Sequence, residues 1–319
     1  MTYYLYYAGM AQDQVTEQIG LAVSDDGNDF RRVGDGLLIP IDSTKPWKSL
    51  RTCNPTVLQE DGRFLMFYQG ISLDRHVSIG CATSQDGIHW TCEDNPALTT
   101  ENASKVLGSA QHGTTDLIEP SVVRVGSGYR MWFITRGSNE PGNRMHHAHS
   151  ADGLSWFVDR ADLLSGESLW AGCRIHYPQA VPVESGYWLY LSIRGPKGRF
   201  SVRRGFSSDG YVFEQWEDVT PPGFGASLVS RVLSKLRLRA WHYSHGLAHS
   251  HIVADDAVER TYYHAYHLDK ERRTYMDVVS VDAWEPLSIR RVFDRAENLE
   301  AWDSYFVADP YVLRLRNAA

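Results

Sequence analysis

The chain has 319 residues, 43% of them hydrophobic and 22% charged, which is enough to bury a large core and unlike a disordered or collagen-like composition. Its formal net charge of -7 argues against a nucleic-acid partner, which wants a basic face. No stretch approaches the roughly 20 apolar residues of a membrane helix. Met1-Thr2-Tyr3-Tyr4-Leu5 lacks the basic-then-apolar pattern of a secretory leader, so a cytoplasmic protein is expected.

In chain order the first element is an aromatic run, Tyr3-Tyr4-Leu5-Tyr6-Tyr7, followed by Ser24-Asp25-Asp26-Gly27-Asn28-Asp29-Phe30. Asp-Gly between strand-like flanks signals a tight turn, because Gly takes the positive φ and Asp hydrogen-bonds its own backbone. Next come Asn54-Pro55-Thr56-Val57, the aromatic run Phe64-Leu65-Met66-Phe67-Tyr68 and the turn Ser84-Gln85-Asp86-Gly87-Ile88-His89-Trp90. The order repeats with Glu119-Pro120-Ser121-Val122, Tyr129-Arg130-Met131-Trp132-Phe133 and Ser150-Ala151-Asp152-Gly153-Leu154-Ser155-Trp156. It repeats again with Tyr177-Pro178-Gln179-Ala180, Tyr187-Trp188-Leu189-Tyr190-Leu191 and Ser207-Ser208-Asp209-Gly210-Tyr211-Val212-Phe213. A weaker fifth copy opens with Ser250-His251-Ile252-Val253 and continues in Tyr262-Tyr263-His264-Ala265-Tyr266.

Four strands per unit of roughly 60 residues describe a propeller blade. The first unit lacks an opening X-Pro strand, and the tail supplies one in Asp309-Pro310-Tyr311-Val312. The expected fold is therefore all-β: a single five-bladed β-propeller over 1–319, its N-terminal blade closed by the C-terminal strand. The blades run over 309–319 with 1–50, then 51–115, 116–173, 174–247 and 248–308. A β-sandwich or two small β domains with similar hairpins are the alternatives, but a sandwich gives no reason for the tail to complete the head. Residues 226–237 differ in character and read as a short helix or a basic surface strand.

Cys53, Cys81, Cys92 and Cys173 show no CxxC or CxxH spacing, so reduced thiols are expected rather than a zinc site. The run His146-His147-Ala148-His149 lies in a strand, where alternation sends His146 and His147 to opposite faces, against a metal site.

The X-Pro strands and the hairpin Ile79-Gly80-Cys81-Ala82-Thr83-Ser84-Gln85-Asp86-Gly87-Ile88-His89-Trp90 resemble the five-bladed propellers of the glycosidase-like superfamily. That superfamily includes family 43 arabinanases and xylosidases, family 32 invertases, family 68 levansucrases and family 130 phosphorylases, and the resemblance covers nearly the whole chain. It implies an axial funnel with acids at the starts of the inner strands: a base or nucleophile, a general acid and a tuning Asp.

Independently of family, breaking a glycosidic bond needs a proton for the leaving oxygen and a nucleophile or activated water opposite. The strand heads here are Asp309, Asn54, Glu119, Tyr177 preceded by His176, and Ser250 flanked by His249 and His251. Asp309 as base or nucleophile and Glu119 as acid form the expected pair, from non-neighbouring blades. Where the resemblance implies a third carboxylate, this chain offers Asn54 or the His176-Tyr177 pair. Asp116 could restore it from a loop, or His176 or Tyr177 could donate the proton.

Rim loops between the second and third strands carry Asp13, Asp74, Arg75, His76, Arg136, Asn139, Arg144, Arg194, Lys197 and Arg199. The basic cluster from the third and fourth blades suits an anionic group on the substrate, and a solvated face explains it about equally well. No cofactor is expected, although His249 or His251 could hold a central ion as a fifth-blade His does in some family 43 relatives. The leading function is a glycosidase-like enzyme on a small glycoside or modified sugar. The alternatives are a repurposed propeller enzyme (phosphorylase, transferase, cyclase or lyase) and a non-catalytic carbohydrate-binding propeller.

Overall fold

The computed structural model describes residues 1–60, 62–107, 116–136, 143–196, 198–221, 246–254, 259–268, 274–282, 285–298 and 300–315. Asn139, Lys197 and the 226–237 segment lie outside these residues, as does the side chain of His249.

Strand dominates the described residues, with short helices at Thr100–Leu107 and Gly166–Leu169, and the meanders follow the repeat. The first group is β1 (Thr2–Met10), β2 (Glu17–Ser24) and β3 (Arg31–Ile39); the second is β4 (Arg51–Glu60), β5 (Arg63–Ile71), β6 (Val77–Ser84) and β7 (Trp90–Cys92). A third sheet comprises β8 (Asp116–Val125), β9 (Gly128–Arg136), β10 (Arg144–Ser150) and β11 (Phe157–Ser165). A fourth comprises β12 (Arg174–Val183), β13 (Gly186–Arg194), β14 (Phe200–Ser207) and β15 (Glu214–Asp218). A fifth comprises β16 (Gly246–Ala254), β17 (Glu259–Leu268), β18 (Thr274–Asp282) and β19 (Glu285–Phe293). The last strand, β20 (Phe306–Leu315), pairs antiparallel with β1 from Thr2↔Leu315 to Met10↔Phe306. One parallel pair, Glu17↔Arg51, joins the first group to the second. No described helix is long and apolar enough to cross a membrane.

The turns repeat in chemistry as well as sequence. Ser24, Ser84, Ser150 and Ser207 each donate a hydroxyl hydrogen bond to the Asp two residues on, at 2.9, 3.1, 3.0 and 2.9 Å. Each Ser oxygen also accepts the N–H of the following Gly. The Asp carboxylates cap the next two N–H groups, and these bonds hold Asp26 and Asp152 at about 2. At Gly87, φ is 74° and an added Cβ would lie 2.8 Å from the Tyr6 hydroxyl, so both conformation and space demand glycine.

Side chains then stitch neighbouring sheets. The Tyr6 hydroxyl donates to Gly87 O in the second group, Trp132 Nε1 to Gly210 O in the fourth, and the Tyr262 hydroxyl of the fifth to Gly27 O in the first. These bonds satisfy the polar tips of large buried aromatics while their rings fill the spaces between sheets.

Every innermost strand carries the same irregularity. Two residues oppose one partner at Asn54-Pro55, Glu119-Pro120, Tyr177-Pro178, His249-Ser250 and Asp309-Pro310, the partners being Tyr68, Phe133, Leu191, Tyr263 and Tyr7. These are β-bulges, where proline has no ladder N–H to lose. Asn54, Glu119, Tyr177 and Asp309 take φ of 51°, 56°, 49° and 50°, a left-handed conformation uncommon outside glycine. The bulges correct two expectations: the residues before proline lie within the strands rather than at their heads, and in the fifth sheet the equivalent residue is His249, with Ser250 at the proline position.

Candidate active site

The bulges turn the residue before each proline toward a cavity of about 430 Å³. Asn54, Glu119, Tyr177 and Asp309 line it together with Glu17, Arg51, Cys53, Gln69, Arg75, Arg136 and His264. The carboxylates of Glu17, Glu119 and Asp309 belong to residues only 8%, 6% and 4% exposed, so three acids converge in one largely desolvated space.

Glu119 accepts the Tyr177 N–H at Oε2 (2.8 Å), while its Oε1 lies 3.1 Å from His176 Nδ1. Asn143 packs its amide against the His176 ring, and Phe200 borders the ring edge-on. Asp309 is framed by His264, whose Nδ1 lies 3.2 Å from the Asp309 backbone nitrogen and 3.3 Å from Oδ1. The Tyr177 ring meets His264 edge to face at 5.1 Å.

Gln69 sets the centre of the site. Its Oε1 accepts the Glu119 N–H at 2.7 Å, which fixes the amide orientation, and then accepts Asn54 Nδ2 at 2.7 Å. An Asp at position 54 would present an oxygen to that oxygen, so the missing acid at this bulge has a local reason.

The third carboxylate is Glu17, which the sequence did not single out. Cross-strand pairing with Met10 brings it to the cavity, and its carboxylate, the Cys53 thiol and the Asp309 carboxylate have ligand atoms within 4.8 Å of one another. Burial pushes Glu17 up to about 8, with the Asp309 charge adding to the rise and the Arg51 guanidinium, at 3.5 Å, opposing it. Burial likewise raises the Cys53 thiol well above its ordinary range, which makes it a poor nucleophile.

The remaining expected residues spread over three levels. Arg75 and Arg136 line the mouth, Arg136 in an ion pair with Asp116 at 2.9 Å that draws Asp116 away from the carboxylates. Asp74 and Arg194 are exposed and do not line the cavity. His251 lies deeper, in a narrow continuation lined by Thr56, Ser121, Gln179 and Tyr311. This layer is knitted from sheet to sheet: the Thr56 hydroxyl donates to Pro120 O, Ala180 N to the Ser121 hydroxyl, Gln179 Nε2 meets His251 Nδ1, and His251 Nε2 meets Val312 O. An ion held by His251 would have to displace one of these partners. Away from the axis, His146 contacts Thr135 and the Asp162 N–H, while His147 pairs with Asp159 at 2.6 Å.

No protein-family model matches the chain. Two uncharacterized proteins of Mycobacterium tuberculosis, from strains CDC 1551 and H37Rv, are 31% identical over 145 residues. The match spans 43% of this chain and 43% of each relative, under half the length of these curated proteins. Among solved structures, one titled simply glycoside hydrolase superposes with a TM-score of 0.61 at 15% identity, covering 83% of this chain and 78% of its own. The chain has the propeller glycosidase-like fold. A thermostable family-43 glycoside hydrolase agrees over 91% of this chain and 88% of its own, with a TM-score of 0.58 at 14% identity. An exo-1,5-alpha-L-arabinanase from a bovine ruminal metagenomic library covers 86% of this chain and 93% of its own, with 0.57 at 15%. Identities this low carry the propeller glycosidase-like architecture and leave the reaction to the residues in the cavity.

Proposed function

We propose that the five meanders are the blades of a five-bladed propeller closed by β20, and that the chain is a glycosidase-like enzyme acting on a saccharide in the axial cavity. The observation that carries this reading is the convergence of the buried carboxylates of Glu17, Glu119 and Asp309 on one cavity. Asp309 acts as base or nucleophile. Glu119 delivers the proton to the leaving oxygen, and His176, 3.1 Å from its Oε1, passes a proton back.

Glu17 supplies the carboxylate missing at Asn54. Two carboxylates this close and this buried do not both ionise readily, and burial raises Glu17 to about 8. We assign Asp309 the attack or the activation of water. A second reading, transfer to phosphate, is favoured by the guanidiniums of Arg51, Arg75 and Arg136 in the same cavity.

The test is release of 4-nitrophenol from a panel of aryl glycosides, with and without inorganic phosphate, by the wild type, Asp309→Asn and Glu119→Gln. Turnover lost in both variants supports the pair, and phosphate dependence selects the second reading. Turnover that survives both substitutions removes the assignment.

A further inference from the structure

The charges of the cavity are sorted by depth. Glu119 and Asp309 sit at the bulges, while Arg51 starts β4 three residues before Asn54, and Arg136 ends β9 opposite Asp116, three residues before Glu119. The Arg51 guanidinium reaches back to Glu17 at 3.5 Å, whereas Arg75 and Arg136 stay exposed. The buried carboxylates thus face a mouth lined by Arg75 and Arg136.

The three arginines are not equally committed. Arg51 is held by Glu17 at 3.5 Å and by Val15 O at 2.7 Å. Arg136 spends one amino group on Asp116 and stays exposed. Arg75 lines the cavity, and among the described residues its guanidinium makes no hydrogen bond or ion pair. Its loop is nevertheless well built: Arg75 N donates to Ser72 O at 2.9 Å, His76 N to the Ser72 hydroxyl at 3.1 Å, and Leu73 N to the Ser49 hydroxyl at 3.2 Å. Within it Arg75 holds a φ of 65°, a left-handed conformation uncommon for a non-glycine residue.

We infer that the substrate is an acidic saccharide, whose carboxylate or phosphate is bound at the mouth by Arg75 with Arg136 while its scissile bond lies against the buried carboxylates. This rests on the reading of the cavity as a saccharide site and names the substrate class. A guanidinium offers paired donors that match either oxyanion, whereas a neutral sugar leaves Arg75 facing water.

Isothermal titration with four probes tests this: digalacturonate, its dimethyl ester, maltose 6′-phosphate and maltose, each against the wild type, Arg75→Ala, Arg75→Lys and Arg75→Ala/Arg136→Ala. The wild type is expected to bind one or both anions about tenfold tighter than the neutral counterpart, the worth of one charge-assisted hydrogen bond. The arm that responds distinguishes carboxylate from phosphate. Arg75→Ala should abolish the preference and Arg75→Lys restore part of it. Absence of preference for either anion, or a preference that survives the double substitution, overturns the inference. Selective binding without turnover would leave it standing and defeat the catalytic reading, whereas turnover of neutral glycosides alone would do the reverse.

Discussion

The Ser-x-Asp-Gly turns and the bulges of the innermost strands are both repeated, but they repeat differently. At the turns the side chains are the same each time, and the bonds of Ser24, Ser84, Ser150 and Ser207 fall within 2.9–3.1 Å. At the bulges the backbone is the same while the side chain changes from Asn54 to Glu119, Tyr177 and Asp309. Uniform chemistry at the outer turns closes hairpins, and varied chemistry on a uniform backbone makes a site. The fold lies in what repeats, and the function in what varies on it.

Substitutions can break that contrast. The largest effect is expected at the bulges: Asp309→Asn and Glu119→Gln should each lower kcat/KM by about a thousandfold, with little change in Tm. Gln69→Leu should follow, since it strands the buried Glu119 N–H and the Asn54 amide at about 1–3 kcal/mol per group; denaturant melts read the loss, and activity should fall with it. Ser84→Ala at a turn should cost about 1 kcal/mol and leave kcat/KM unchanged. Tyr262→Phe removes one hydrogen bond between the fifth and first sheets and should cost about as much or less, again without touching catalysis.

Glu17 sharpens the comparison through pH. Its folded value of about 8 lies above the ordinary 4.5, so the folded state keeps a proton that the unfolded chain gives up. Its contribution is fully present below about 4.5 and lost as pH rises through about 8. Unfolding free energy measured across that window should fall less steeply in Glu17→Gln. An unchanged slope would mean that burial does not raise Glu17.

The repeating parts were legible in the sequence because they rest on local chemistry. Asp-Gly needs a turn wherever it stands, and X-Pro marks Asn54, Glu119, Tyr177 and Asp309 as equivalent positions, although they lie at bulges within the strands and not at strand heads. Where the proline is missing, the equivalent residue is His249 rather than Ser250, because nothing local flags a bulge. Glu17, Gln69, Arg51 and His264 were not legible as site residues. They reach the cavity through pairings such as Met10↔Glu17 and Cys53↔Gln69, and registers between strands are set by packing rather than by neighbours in sequence. The same holds for Asp116, whose proximity to Glu119 in sequence suggested a third acid but whose partner across the ladder is Arg136.

The most direct test of the account is product release from digalacturonate and a panel of 4-nitrophenyl glycosides, measured side by side for the wild type, Asp309→Asn and Glu119→Gln at matched Tm. The expected result is turnover of at least one substrate by the wild type and its near-complete loss in both variants. Turnover that persists in both variants, or a wild type inert toward every member, would contradict it.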